Sequence, residues 1–301
     1  MNKPVIGGQA VIEGVLFLSP KAKSLAIRKP DGKIHVESSD HLTLTRKLYM
    51  HKVPLIRGII AFVDMMILGT KSLNRSVEIA LEEEEEESSW FTNILMGISF
   101  VLGTLIALLL FKFVPFWLSD LAWSSVIAPP VLGVTFLEGF IKACIFVGYI
   151  YGISRMNDVK RLFMYHGAEH KVIRCFEADK KLTVENVMKS SRFHPRCGTS
   201  FVVFTILLSV LLYSFIPLEF GFWTRYGLRL LMLPLLAGLS YEILYLTSKV
   251  SEHGPLRFLL WPGYAVQVLT TREPKEEMVE VSIASFEACY DQSKFEQKLK
   301  K

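Results

Sequence analysis

FTNILMGISFVLGTLIALLLF, Phe91 to Phe111, holds no charged residue. A helix of that length, at about 1.5 Å per residue, reaches roughly 30 Å, the thickness of the hydrocarbon core of a bilayer. This stretch decides the class of the chain, and similar stretches follow it. Pro130 to Ile153 is apolar apart from Glu138 and Lys142. Phe201 to Pro217 is uncharged but short. Leu228 to Leu246 carries Arg229 near one end and Glu242 near the other. Trp90, Trp117, Trp123 and Trp223 stand at segment edges, as interfacial aromatics do. Four crossings are expected.

Orientation follows from the connections. Residues 154–200 carry ten Lys/Arg, whereas residues 112–129 offer Lys112 and residues 218–227 offer Arg225. The positive-inside rule puts loop 154–200 in the cytoplasm, and four crossings then put both termini there. Met1 to Gly8 lacks the apolar core of a cleavable signal. The expected location is a bacterial cell membrane, with the lipid bilayer as first partner and the oligomeric state open.

The composition agrees with that picture. Of 301 residues, 51% are hydrophobic and 21% charged, with mean hydropathy +0.35. The charge is concentrated between the apolar stretches, which excludes a plain soluble enzyme and a disordered chain. Cys144, Cys175, Cys197 and Cys289 have no paired spacing, which excludes a disulfide scaffold. The net charge of +5 reads as a topology signal, and no nucleic-acid partner is expected.

The flanking segments are less apolar. Leu25 to Lys29 and Ile34 to Glu37 alternate around Pro30-Asp31-Gly32, a hairpin signature. Gly7-Gly8 reads as a tight turn, and Val11 to Val15 as a further strand. Residues 55–75 read as an interfacial or bundle-packed helix, with a fifth crossing as the alternative. Glu82 to Glu87 reads as a solvated linker. Residues 255–270 are apolar but broken by Pro262-Gly263, and are expected to lie on the membrane. Val279, Ile283, Phe286 and Tyr290 fall on one stripe of an amphipathic C-terminal helix. The expected fold class is a mainly α-helical integral membrane protein: about four transmembrane helices with a small N-terminal β-rich cytosolic unit. The expected divisions are a β-rich unit (1–54), an interfacial helix with an acidic linker (55–89), a four-helix membrane domain (90–248) and a membrane-surface segment with the C-terminal helix (249–301).

His166-Gly167-Ala168-Glu169-His170 carries the chemistry. On a helix, His166 and His170 share a face and can meet one metal ion, with Glu169 beside them to accept a proton. H-x-x-E-H is the order of inverted zinc metalloproteases. Two further groups map to the same membrane face. His194-Pro195-Arg196-Cys197 sets an imidazole and a thiol three residues apart, and Glu242 is a costly carboxylate inside an apolar segment. Glu138 and Lys142 have the spacing of a helical ion pair. His35, His41, His51 and His253 have no ligand spacing.

Gly7 to Val15, His166 to Lys171, His194 to Ser200 and Ser240-Tyr241-Glu242 together resemble the YqhQ-like family of bacterial membrane proteins, over nearly the whole chain. The resemblance implies a membrane location and a metal-dependent enzyme of unknown substrate. Leu16-Phe17-Leu18 depart from the family pattern, which places Met-Met and often an Arg there.

Three functions are carried forward. The first is a membrane-embedded zinc hydrolase, with zinc or another divalent transition metal on His166, His170 and a third ligand from Glu242 or His194. Glu169 is its general base, and its substrate is a membrane-protein segment or a lipid head group. The second is a scaffold whose metal is closed off by His166, His170, His194 and Cys197. The third is a transporter lined by Glu138, Lys142, Arg229 and Glu242.

Overall fold

The computed structural model describes residues 6–81, 90–124, 126, 130–247, 249–250 and 254–299. Strands β1 (Gly7–Val11), β2 (Gly14–Leu18), β3 (Ala22–Arg28) and β4 (Ile34–Asp40) form one antiparallel meander in that order. Gly7 and Gly8 therefore lie in a strand, not in a tight turn. The expected strand over Val11 to Val15 is instead a hairpin, with Ile12-Glu13 as its two-residue loop and Val11 paired to Gly14. Glu13, the second loop residue, takes a positive φ (51°). The hairpin around Pro30-Asp31-Gly32 forms as expected, with Ile27 opposite His35.

Helices α1 (Leu44–Lys47), α2 (Ile56–Leu81), α3 (Trp90–Leu108), α4 (Val114–Trp123), α5 (Val131–Ile153), α6 (Asn157–Glu177), α7 (Val184–Met188) and α8 (Gly198–Tyr213) follow. Then come α9 (Phe222–Leu231), α10 (Leu233–Thr247), α11 (Trp261–Thr270) and α12 (Glu276–Leu299). The sheet is covered on both faces. Val15, Phe17, Ala22 and Ala26 pack with Tyr165, Ala168 and Val172 of α6 and Met278, Phe286 and Cys289 of α12. On the other face Val11, Leu16, Leu25 and Ile27 pack with Leu68 and Ile79 of α2. Double coverage explains why Gly14-Val15-Leu16-Phe17-Leu18 is uniformly apolar rather than alternating. The C-terminal stripe packs as its period suggests, with Val279 and Phe286 buried and Ile283 and Tyr290 against the same core.

Among the described residues two helices are long and apolar enough to cross a membrane, Gly97–Trp123 and Val131–Ile153, and a third if α9 and α10 are one bent span. This is fewer than the four expected. The first runs past Phe111 because a π-helical turn at Leu109–Phe113 joins α3 to α4. Pro115 has no N–H for the carbonyl four residues back, and the Val114 N–H reaches Leu109 instead. The third expected crossing, α8, has 16 residues and covers only about 24 Å. The fourth is bent by 45° between Leu231 and Leu233, next to Pro234. In α11, Pro262 occupies a first-turn position where its missing N–H costs nothing, so the Pro-Gly pair opens a helix instead of breaking one.

Candidate metal centre

The site forms where three segments meet: helix α6, the loop entering α8, and the extended segment after α11. Gly167 makes the meeting possible. A Cβ there would stand 2.0 Å from the Arg272 carbonyl oxygen, so only glycine lets residues 270–274 run against α6. The Arg272 N–H donates to the Phe163 carbonyl at 2.9 Å, and Lys171 pairs with Glu273 at 2.9 Å. Arg192 Nη1 ties the α8 approach to the Thr271 carbonyl at 2.7 Å. Gln267 of α11, fully buried, accepts from the His194 N–H and donates to the His194 carbonyl, each at 2.9 Å.

His166, His170 and Cys197 converge. One ligand atom from each lies within 4.8 Å of the other two, the one such His/Cys/carboxylate group among the described residues. His166 Nδ1 donates to the Thr270 carbonyl at 2.8 Å, and His170 Nδ1 to the Arg192 carbonyl at 2.6 Å. Backbone carbonyls accept only, so both protons sit on Nδ1 and both Nε2 lone pairs are left to face inward. His166 Nε2 is 3.3 Å from Cys197 Sγ. A single thiol proton cannot satisfy two such lone pairs, whereas a cation satisfies both and the thiolate as well.

Cys197 is predisposed to that state. It caps the N-terminus of α8, and the Thr199 hydroxyl lies 3.1 Å from its sulfur. Burial pushes the thiol up, but the His170 imidazole and Thr199 outweigh it and hold it below the usual thiol range.

Glu169 lies beside this group, 5% exposed, with its carboxyl against Gly8 of β1. Burial pushes it up to about 8, and His166 offsets only part of that cost. It has no hydrogen bond among the described residues. A carboxyl of this kind, beside two lone pairs and a thiol, fits a site that holds a divalent cation.

The other expected ligands lie elsewhere. His194 Nε2 donates to Glu177 Oε2 at 3.1 Å, and its Nδ1 accepts from the Arg196 N–H at 3.3 Å, so neither nitrogen is free. Glu242 accepts from Arg57 Nε at 2.8 Å and from the Leu55 N–H at 3.1 Å, in a half-buried ion pair between α2 and α10. The third donor beside the histidines is thus Cys197, in place of Glu242 or His194. Glu138 and Lys142 do pair, at 3.4 Å, and Arg229 Nε joins the same carboxylate at 3.1 Å. His253 and Glu82 to Glu87 lie outside the described residues.

Sequence reasoning missed several supporting groups. Thr270 and Arg192 act through backbone carbonyls, which carry no residue-type signal. Gln267 does have one, as a lone amide in an apolar stretch. Gly8 is visible as a glycine pair, but its need arises only from Glu169 across the fold.

A mostly helical chain with a small N-terminal antiparallel sheet, apolar helices able to cross a membrane, and two histidines and a cysteine gathered at one point define its class. It belongs to the family described as "Protein of unknown function (DUF1385)", which matches residues 53–292. It is 39% identical to the Bacillus subtilis (strain 168) protein described as "Uncharacterized protein YqhQ", over 94% of this chain and 91% of that one. No solved structure matches it.

Proposed function

We propose that this chain is a metal-dependent hydrolase of the membrane surface, with His166, His170 and Cys197 as its metal ligands and Glu169 as its general base. The observation that carries the reading is the ligand count. His194 is committed to Glu177 and Arg196, so three donors converge rather than four. Three protein ligands leave a position open for water or substrate, as in catalytic sites, whereas four close a structural one. The scaffold reading needed His194 as its fourth ligand.

A divalent metal ion, zinc by the match to imidazole and thiolate, supplies Lewis-acid polarisation of a substrate oxygen and activation of a water. The residues do the rest. The Thr270 and Arg192 carbonyls hold the two imidazoles in the ligating tautomer. Glu169, set against Gly8, would be held ionised by the charge of the cation, so that it can take a proton from the attacking water and return it to the leaving group. The surrounding apolar core strengthens each of these interactions by excluding bulk water. The transporter reading has less support, because the Glu138 carboxylate is already shared by Lys142 and Arg229.

We place the site on the cytoplasmic face, since the segment between α5 and α8 holds the positive charge. A reporter fused at Asp179 should read inside. Catalysis itself is tested by Glu169→Gln, which preserves shape and removes the proton acceptor. Metal content should stay at wild-type level while cellular complementation fails, with a rate loss of about 10²–10⁴-fold. A fully functional Glu169→Gln protein contradicts the reading.

A further inference from the structure

β1 is an edge strand: it pairs with β2 on one side, and no described strand pairs with it on the other. In a two-residue hairpin the residues flanking the loop exchange both hydrogen bonds, so Val11 bonds to Gly14 and pairing alternates from there. Gly7, Gln9 and Val11 bond inward to β2. Gly8 and Ala10 turn their N–H and C=O groups outward, and no hydrogen bond to those groups occurs among the described residues.

The two edges of the sheet differ. β4 carries Glu37 and Asp40, and Glu37 is held by Arg75 at 2.8 Å, so that edge is blunted by charge. β1 reads Gly-Gly-Gln-Ala-Val, with no charge and no proline. Gly7 is exposed, and a Cβ on Gly8 would point from the α6-covered face of the sheet at Glu169, 2.8 Å from its Cγ. The proposed base therefore lies over the face of the sheet at the same residue whose N–H and C=O line the unpaired edge.

We infer that the outer edge of β1 receives an extended polypeptide segment as an added strand, and that peptide is the substrate class of this site. Resting on the hydrolase reading above, it selects the membrane-protein segment over the lipid head group. Main-chain hydrogen bonds to Gly8 and Ala10 fix the register of the segment and bring one of its carbonyls beside Glu169. Hydrolysis there breaks the amide C–N bond, places the water oxygen on the carbonyl carbon, and delivers a proton through Glu169 to the departing nitrogen. A lipid head group has no backbone ladder to offer such an edge.

The test uses the full chain, loaded with cobalt(II) in phosphatidylcholine nanodiscs and followed by its visible absorption. The probes are acetohydroxamate, the tripeptide hydroxamates of Leu-Ala-Leu, Phe-Ala-Phe and Ala-Ala-Ala, and backbone N-methylated forms of each. At least one tripeptide should bind about tenfold or more tighter than acetohydroxamate, as two backbone hydrogen bonds would give. N-methylation should abolish that advantage. Ala10→Pro, which removes an outward N–H tolerated at an edge, should narrow it. Equal affinity for all hydroxamates, or displacement of acetohydroxamate by phosphatidylglycerol in the nanodisc but not by tripeptide, overturns this inference and leaves the metal site standing. A chain that takes up no cobalt overturns the hydrolase reading and this inference with it.

Discussion

Gly8 lies so close to Glu169 that a Cβ on Gly8 would stand 2.8 Å from both Cγ and Oε1 of the carboxylate. Strand β1 and helix α6, about 150 residues apart in sequence, thus fix the position of the proposed base. Gly8→Ala is expected to push the carboxyl aside. Overpacking of this kind costs about 1–3 kcal/mol. Thermal melts should show a modest loss and metal analysis none, while complementation fails. Wild-type activity in Gly8→Ala would mean that Glu169 has no need of this position.

Gly167→Ala meets backbone rather than side chain. The Arg272 carbonyl stands 2.0 Å from the added Cβ, and Arg272 is tied to Phe163 on the same helix. Residues 270–274 must lift away, and the Thr270 carbonyl loses its hold on His166 Nδ1. The expected outcome is a larger fall in melting temperature than for Gly8→Ala, with weakened metal retention on dialysis.

Acid should act through Glu177. Burial pushes this carboxyl up, but its bond from the buried His194 and the Arg196 guanidinium outweigh that and hold it at about 2. A carboxylate depressed in the folded state contributes stability that is full above its unfolded value, near 4.5, and lost as pH falls towards 2. His194 is held below its ordinary value by burial, so its contribution falls away below about 6.5. Denaturation followed from pH 7 to pH 3 should show declining stability, with a shallower decline in Glu177→Gln. Identical slopes would contradict this assignment.

Removing Glu138 should cost more than removing Glu242. Glu138 is 2% exposed and neutralises both Lys142 and Arg229, so Glu138→Gln strands two buried cations; breaking a buried pair costs about 3–5 kcal/mol. Glu242 and Arg57 are each nearly a fifth exposed, and water reaches the survivor in Glu242→Gln. Thermal stability in detergent should rank wild type, Glu242→Gln, then Glu138→Gln.

The parts of this fold that were legible beforehand have local causes. Alternation around Pro30-Asp31-Gly32 announced β3 and β4, and the uncharged runs announced the helices able to cross a membrane. The four-residue spacing of His166 and His170 put two ligands on one helical face. What was not legible depends on partners distant in sequence. Glu242 looked like an isolated intramembrane carboxylate because Arg57 is 185 residues away, and His194 looked like a ligand because Glu177 was not known to face it. Cys197 joins the histidines only because the loop before α8 folds back on His166, across 31 residues of sequence. Helix lengths shifted for backbone reasons, at Pro115 and Pro234, that hydropathy alone does not encode.

Metal analysis combined with X-ray absorption at the zinc edge, on the zinc-loaded full chain and on Cys197→Ser, tests the central claim most directly. The account predicts about one zinc per chain, with two nitrogen donors, one sulfur donor at about 2.3 Å and an oxygen in the remaining position. It predicts loss of the sulfur signal and weakened retention in Cys197→Ser. A wild-type chain that retains no metal, or a zinc shell unchanged by Cys197→Ser, would contradict it.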